Sequence, residues 1–118
     1  ALAKLILCGT AYVNHTADGT HAHRSADVTN VLSAAVPTDL ATGHVYAIAL
    51  KNALNEHLAA PDYHASVVPF GSIFKVTKAD STDLSTLLLL TIDIPRVLRT
   101  HLFSAAPVLV LQNASSLA

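Results

Sequence analysis

The sequence predicts an α+β fold, with an N-terminal β-hairpin and an antiparallel β-sheet meander followed by C-terminal helices. Asp18-Gly19 is the dipeptide that accepts the positive φ angles of a tight hairpin turn, and it follows an apolar run. β-branched and aromatic residues flank Pro69 and Gly71, and Thr91–Ile94 alternates in the manner of a strand. All 118 residues fit one domain built on these strands.

The N-terminal hairpin is the first predicted element. Residues 4–15 place Leu5, Leu7, Ala11 and Val13 on one face of a strand. Residues 20–24 return as the second strand after the turn. The mixed stretch 25–43, which contains Pro37 and ends at Gly43, is interpreted as a short third strand or a connection.

Residues 44–60 are open to two interpretations. A helix capped by Thr38 or Asp39 and stopped at Pro61 would carry four apolar residues at helical spacing, Ala47, Leu50, Leu54 and Leu58. Residues 44–51 also alternate as a strand, and Gly43 disfavours a helix that runs through it. Both interpretations stay open from the residues alone.

The second half of the chain predicts further strands and then helix. Strands are expected on either side of Pro69 and Gly71, the second at residues 72–78. Residues 85–95 predict a buried strand that ends at Pro95, although 85–90 could instead belong to a helix begun at Ser81 or Thr82. A helix is predicted at 96–104, followed past Pro107 by a second helix or a terminal strand.

The composition favours self-association. Hydrophobic residues make up 52% of the chain and charged residues 13%, so we expect part of the surface to be covered by copies of the same chain. A net charge of −1 does not by itself indicate a polyanion-binding protein. The apolar run at 85–95 is interrupted by Asp93, so no membrane span is predicted. Without an evident signal peptide, a soluble intracellular product is expected.

The motifs that could carry chemistry are sparse. His21 and His23 share one face of a predicted strand near His15 and Asp18, and such a cluster could hold zinc or copper. A polar exposed hairpin tip explains the same pattern and is favoured, so no metal or other cofactor is predicted. Cys8 is expected to be a buried inert thiol.

Enzymatic motifs are missing from the sequence. There is no Gly-x-Ser-x-Gly elbow and no glycine-rich phosphate loop. Glu56 is the sole glutamate, which leaves little material for a pair of catalytic carboxylates. The chain is therefore predicted not to be an enzyme.

A polar, partly basic surface is predicted on one face of the central sheet. Lys75 and Thr77 share a face of one strand, and an antiparallel neighbour would add His64 and Ser66 to it, with Lys51 on another strand nearby. Such a face suits contacts with phosphates and bases, whereas the alternative is an ordinary solvent-facing side of a sheet.

The order of elements resembles the coat proteins of single-stranded RNA bacteriophages, the levivirus-like family. "ALAKLIL" and "HTADGTHAH" look like the N-terminal hairpin of those proteins, and "LSAAVPTDLATGHVYAIALKN" looks like the Val-Pro connection into the main sheet. "YHASVVP" and "LLLLTIDIP" are similar to later strands of the family's sheet. "RVLRTHLFSAAPVLVLQNASSLA" stands where the family has its C-terminal helices. The resemblance covers nearly the whole chain, and the low Lys and Arg count departs from the family.

The resemblance implies a structural function. It implies an interlocked homodimer that assembles into an icosahedral virus-like shell in the host cytoplasm and becomes part of the virion. It also implies that single-stranded RNA binds the inner sheet face, at Lys51, His64, Ser66, Lys75 and Thr77. The alternative, with both ambiguous segments helical, is an oligomeric ferredoxin-like domain that binds a small ligand or acts as a small enzyme.

Overall fold

The computed structural model describes residues 2–18, 26–60 and 75–105, and these residues are helical and irregular rather than α+β. They form three α-helices, α1 (Leu2–Ala17), α2 (Leu40–Ala59) and α3 (Leu84–Ala105), and they contain no β-strand. The predicted hairpin, sheet meander and α+β class are therefore wrong. The second hairpin strand at 20–24 and the strand before Pro69 lie outside the described residues.

α1 replaces the predicted first strand because its buried residues recur at helical spacing. Leu5, Cys8, Tyr12 and His15 are buried along one face. The predicted strand places Leu5, Leu7 and Val13 on one face. In the helix, Leu7 and Val13 are instead 40% and 44% exposed. Alternation over a short apolar run fits both periods, and burial against two other helices decides for the helix.

α2 follows the helical alternative for residues 44–60, and the strand interpretation is wrong. Asp39 is the N-cap: its carboxylate accepts a hydrogen bond from the Thr42 backbone N–H at 2.8 Å. The Thr42 hydroxyl in return accepts one from the Asp39 N–H at 3.1 Å, which completes a capping box. The apolar residues that the helical spacing selected are all buried, namely Ala47, Leu50, Leu54 and Leu58.

α3 begins in the same way and runs through the predicted strand. Asp83 accepts from the Thr86 N–H at 2.8 Å, and the Asp83 N–H donates to the Thr86 hydroxyl at 3.0 Å. Residues 91–94, predicted as strand, lie inside this helix, as does Pro95. An interior proline costs about 3 kcal/mol in an isolated helix. Burial of one apolar face offsets that cost here, the face of Leu87, Leu90, Ile94, Leu98 and Leu102.

The described residues between the helices are irregular. Residues 26–39, considered as a third strand or a connection, are an irregular connection between α1 and α2. Of the predicted strand at 72–78, the described residues 75–78 are likewise irregular. The helix predicted at 96–104 lies within α3.

The three helices run parallel. Leu2, near the start of α1, lies against Gly43 near the start of α2, and His15 and His57 meet near the ends of the same two helices. Gly43 also faces Leu87 of α3, while the rings of His57 and His101 lie 5.2 Å apart. The C-terminal parts of all three helices therefore lie together, and the core fills the space between them.

Candidate metal centre

Three buried histidines meet at the C-terminal end of the bundle, one from each helix. His15, His57 and His101 are 6%, 0% and 2% exposed. The Nε2 atom of His15 lies 3.1 Å from Nε2 of His57 and 2.8 Å from Nε2 of His101. One ring nitrogen from each residue lies within 4.8 Å of the other two. We call these three residues the histidine cluster.

Two short contacts between ring nitrogens meet at one atom of the histidine cluster. An imidazole nitrogen has one in-plane position, which holds either a hydrogen or a lone pair. Nε2 of His15 is within hydrogen-bonding distance of two other Nε2 atoms, so one hydrogen or one lone pair on it serves both contacts. A cation between the rings would accept the lone pairs of all three nitrogens together.

Asp27 fixes the orientation of one ring of the cluster. Its Oδ2 lies 2.6 Å from Nδ1 of His57, and both side chains are fully buried. Burial alone would raise the pKa of Asp27. The hydrogen bonds donated by Asn30, His57 and Thr29 outweigh it and lower that pKa to about 2. An ionised carboxylate can only accept, so Nδ1 of His57 carries a proton, and when the ring is neutral its Nε2 bears the lone pair, which faces His15.

Tyr12 and Asn30 support the same arrangement. The Tyr12 hydroxyl donates to the backbone carbonyls of Asn30 and of Ala53, the latter at 3.0 Å. The Tyr12 and His57 rings pack nearly at right angles with centroids 5.9 Å apart. The Asn30 amide donates to Asp27 Oδ2 at 2.8 Å. Tyr12 therefore supports the His57 ring directly, and Asn30 supports it through Asp27.

The ends of the helices favour positive charge at this position. His15 and His57 lie in the last turns of α1 and α2, and His101 lies close to the end of α3. Each helix C-terminus carries a partial negative charge of roughly half an elementary charge. Because the helices are parallel, three such ends converge, and a bound cation would offset their mutual repulsion.

The residues considered as a possible metal cluster, although no metal is predicted from the sequence, are only partly covered by the described residues. His15 belongs to the histidine cluster, whereas Asp18 follows the end of α1 and its N–H donates to the His15 carbonyl at 3.3 Å. His21 and His23 lie outside the described residues. His57 and His101 were not predicted as ligands, and neither was Asp27 as their partner.

Among the predicted RNA-binding residues, the three that the structure describes do not lie on a sheet. Lys51 lies in α2, where its ammonium group donates to Asp80 and to the Lys78 carbonyl, each at 2.8 Å. Lys75 and Thr77 are exposed on an irregular segment, and His64 and Ser66 lie outside the described residues. RNA binding by these residues stays a prediction, without the sheet that motivated it.

Two other sequence predictions can be compared with the structure. Cys8 is fully buried, as predicted, and burial raises its pKa to about 11, which favours the unreactive thiol. Among the helices described, none has the length and apolarity needed to cross a membrane.

A repeat in the sequence is the signal that could have found the cluster. Thr-Asp-Leu-x-Thr occurs at 38–42 and again at 82–86, and His-Leu occurs at 57–58 and again at 101–102. Both pairs are separated by 44 residues, so the second and third helices carry the same two motifs at the same spacing, as in an internal repeat. Equivalent positions in parallel helices lie at the same level, which predicts that His57 and His101 are neighbours.

Comparison with known proteins does not identify a relative: no family model, no curated protein and no solved structure matches the chain.

Proposed function

We propose that this protein binds a divalent transition-metal ion, with Zn²⁺ the preferred candidate, through Nε2 of His15, His57 and His101. The observation that carries the proposal is the convergence of three buried imidazole nitrogens from three helices. Imidazole nitrogen is a preferred ligand of zinc, copper and nickel. Burial of three imidazole groups costs free energy unless their nitrogens have partners, and an ion held by all three would be such a partner.

Two of the three nitrogen separations are close to those of a zinc site. Zn–N bonds of about 2.0–2.1 Å place tetrahedral nitrogen ligands roughly 3.3 Å apart. The Nε2 separations from His15 to His57 and to His101, 3.1 and 2.8 Å, are slightly shorter. All three ligand nitrogens lie within 4.8 Å of one another, so the rings would have to adjust to hold an ion at equal bond lengths.

The surroundings of His57 match the known needs of a histidine ligand. Metal-bound histidines usually donate their second ring N–H to a carboxylate, a backbone carbonyl or water, which fixes the tautomer and raises the basicity of the ligating nitrogen. Asp27 occupies that position on His57. Three histidine ligands leave a fourth coordination position for water or another small ligand.

Metal titration of the wild type and matched variants tests the proposal. Isothermal titration of the metal-free protein with Zn²⁺ is expected to show one equivalent bound. His15→Gln and His101→Gln should each weaken binding by more than the roughly 10–100-fold that loss of a supporting carboxylate costs. His44→Gln is the control, because His44 pairs with Ser81 near the N-terminal end of α2.

Circular dichroism of each variant establishes that it is folded before binding is compared. Equal Zn²⁺ affinity in wild type, His15→Gln and His101→Gln would contradict the proposal. So would an equal loss of affinity in His44→Gln.

A further inference from the structure

The start of the connection between α1 and α2 is held to the histidine cluster by polar groups, whereas partly buried apolar residues further along it pack against the hydrophobic core. Val28, Val31 and Val36 are 77%, 57% and 63% exposed. Asp27 and Asn30 in the same segment are buried. The local stability of residues 27–31 therefore depends largely on the contacts of those two side chains.

Asp27 gathers these contacts at one carboxylate. It accepts hydrogen bonds from the N–H groups of Thr29 and Asn30 at 3.0 and 2.9 Å, besides its bond with His57. Its own N–H donates to the Thr16 carbonyl at 2.8 Å, at the end of α1. The segment is thus joined to the cluster through a single group.

The same segment forms one wall of a cleft. Leu32, Ala34 and Val36 face α1 and Tyr46 across a space of about 250 Å³. Gly9 at its floor leaves room for the Tyr46 hydroxyl, which would lie 1.6 Å from a Cβ at that position. Any change in the position of residues 27–36 changes the shape of this cleft.

We propose that metal occupancy of the histidine cluster is linked through Asp27 to the order of residues 27–36, and thereby to the shape of the cleft that they line. This inference rests on the proposed metal binding. A cation on Nε2 of His57 withdraws electron density from the ring and makes Nδ1–H a stronger donor to Asp27. By linkage, an interaction that stabilises the ordered state of residues 27–36 also tightens metal binding by the same factor.

Amide hydrogen exchange measured by NMR, with and without saturating Zn²⁺, tests the linkage on the wild-type chain. The reporters are the N–H groups of Asp27, Thr29 and Asn30, which are expected to exchange at least about 5-fold more slowly with the metal. The matched controls are the N–H groups of Thr42 and Thr86. They also donate to aspartate carboxylates, each at 2.8 Å, but near the opposite ends of the helices.

The outcomes separate the two proposals. Selective slowing at the three reporters, with shifts of the Leu32 and Val36 methyl resonances, supports the linkage. Zinc binding with unchanged exchange at the reporters, or with equal slowing at Thr42 and Thr86, overturns the linkage and leaves the proposed metal binding intact. Absence of zinc binding in the titration overturns both.

Discussion

The two ends of the helical bundle are built in different ways. At the N-terminal end, α2 and α3 begin with identical caps, Asp39 with Thr42 and Asp83 with Thr86, and each cap is exposed and complete within four residues. At the C-terminal end, the histidine cluster is buried and needs one residue from each helix. The first end is specified locally, whereas the second exists only when the whole fold has formed.

This difference predicts where substitutions have large effects. Loss of a local exposed cap affects one helix start, and other groups or water can replace the lost hydrogen bond. Loss of one member of a buried network leaves its partners buried and unsatisfied, which costs more than the lost interaction itself.

The largest effect on stability is expected for His57→Leu in the metal-free protein. The substitution leaves the ionised Asp27 carboxylate buried without the His57 donor, so the free energy of unfolding should fall by about 3 kcal/mol or more. Urea denaturation measures it. His44→Leu is the control near the other end of α2, and an equal loss in the two variants would contradict the comparison.

The next effect is the pH dependence carried by Asp27. Its pKa is lowered from 3.8 to about 2 in the folded protein, so its contribution is present above pH 4 and is lost as the pH falls toward 2. The shift corresponds to about 2 kcal/mol. Asp27→Asn should lower stability at neutral pH and flatten the loss between pH 4 and 2. Denaturation curves across that range test this, and an unchanged acid slope in the variant would refute it.

Smaller and independent effects are expected at the caps. Asp39→Ala and Asp83→Ala should each lower the free energy of unfolding by less than Asp27→Asn does, because both side chains are exposed. Since the two caps share no partner, the double variant should show the sum of the two losses. Thermal and urea unfolding of the two single variants and the double variant measure this, and strong coupling between the caps would be the contrary result.

The smallest effect is expected at the exposed ion pair of Lys51 and Asp80. Asp80 is 57% exposed, so Asp80→Asn should cost less than about 1 kcal/mol. The cost should shrink further in about 1 M salt, where charges are screened within a few ångströms. Unfolding at low and high salt provides the measurement, and a large salt-independent loss would show that the pair matters more than its exposure indicates.

The sequence predicts the N-terminal end of the bundle, which is built from local caps, better than the C-terminal end, where the histidine cluster lies. The Asp39 cap and the helical spacing from Ala47 to Leu58 were both recognised, although the strand alternative was kept beside them. α1 was missed because alternation and helical periodicity coincide over a short apolar run, and packing decided between them. The interior of α3 was missed because Pro95 and the alternation at 91–94 indicate a strand, whereas burial of a long apolar face outweighs both.

The histidine cluster could not be predicted from spacing within one segment. Its ligands are separated by 42 and 44 residues, and they meet only because the helices are parallel. The local pattern groups His15 with residues of the predicted hairpin, and the described residues contain no hairpin. The repeated motifs instead pair equivalent positions of different helices, and they pair His57 with His101.

X-ray absorption spectroscopy of the zinc-loaded protein is the most direct test of the central claim. Three imidazole ligands at about 2.0–2.1 Å are predicted, with one further light ligand from solvent. His101→Gln should reduce the imidazole count by one or abolish binding, and His44→Gln should leave the spectrum unchanged. A first shell with sulfur, or with fewer than three imidazoles in the wild type, would contradict the proposed site.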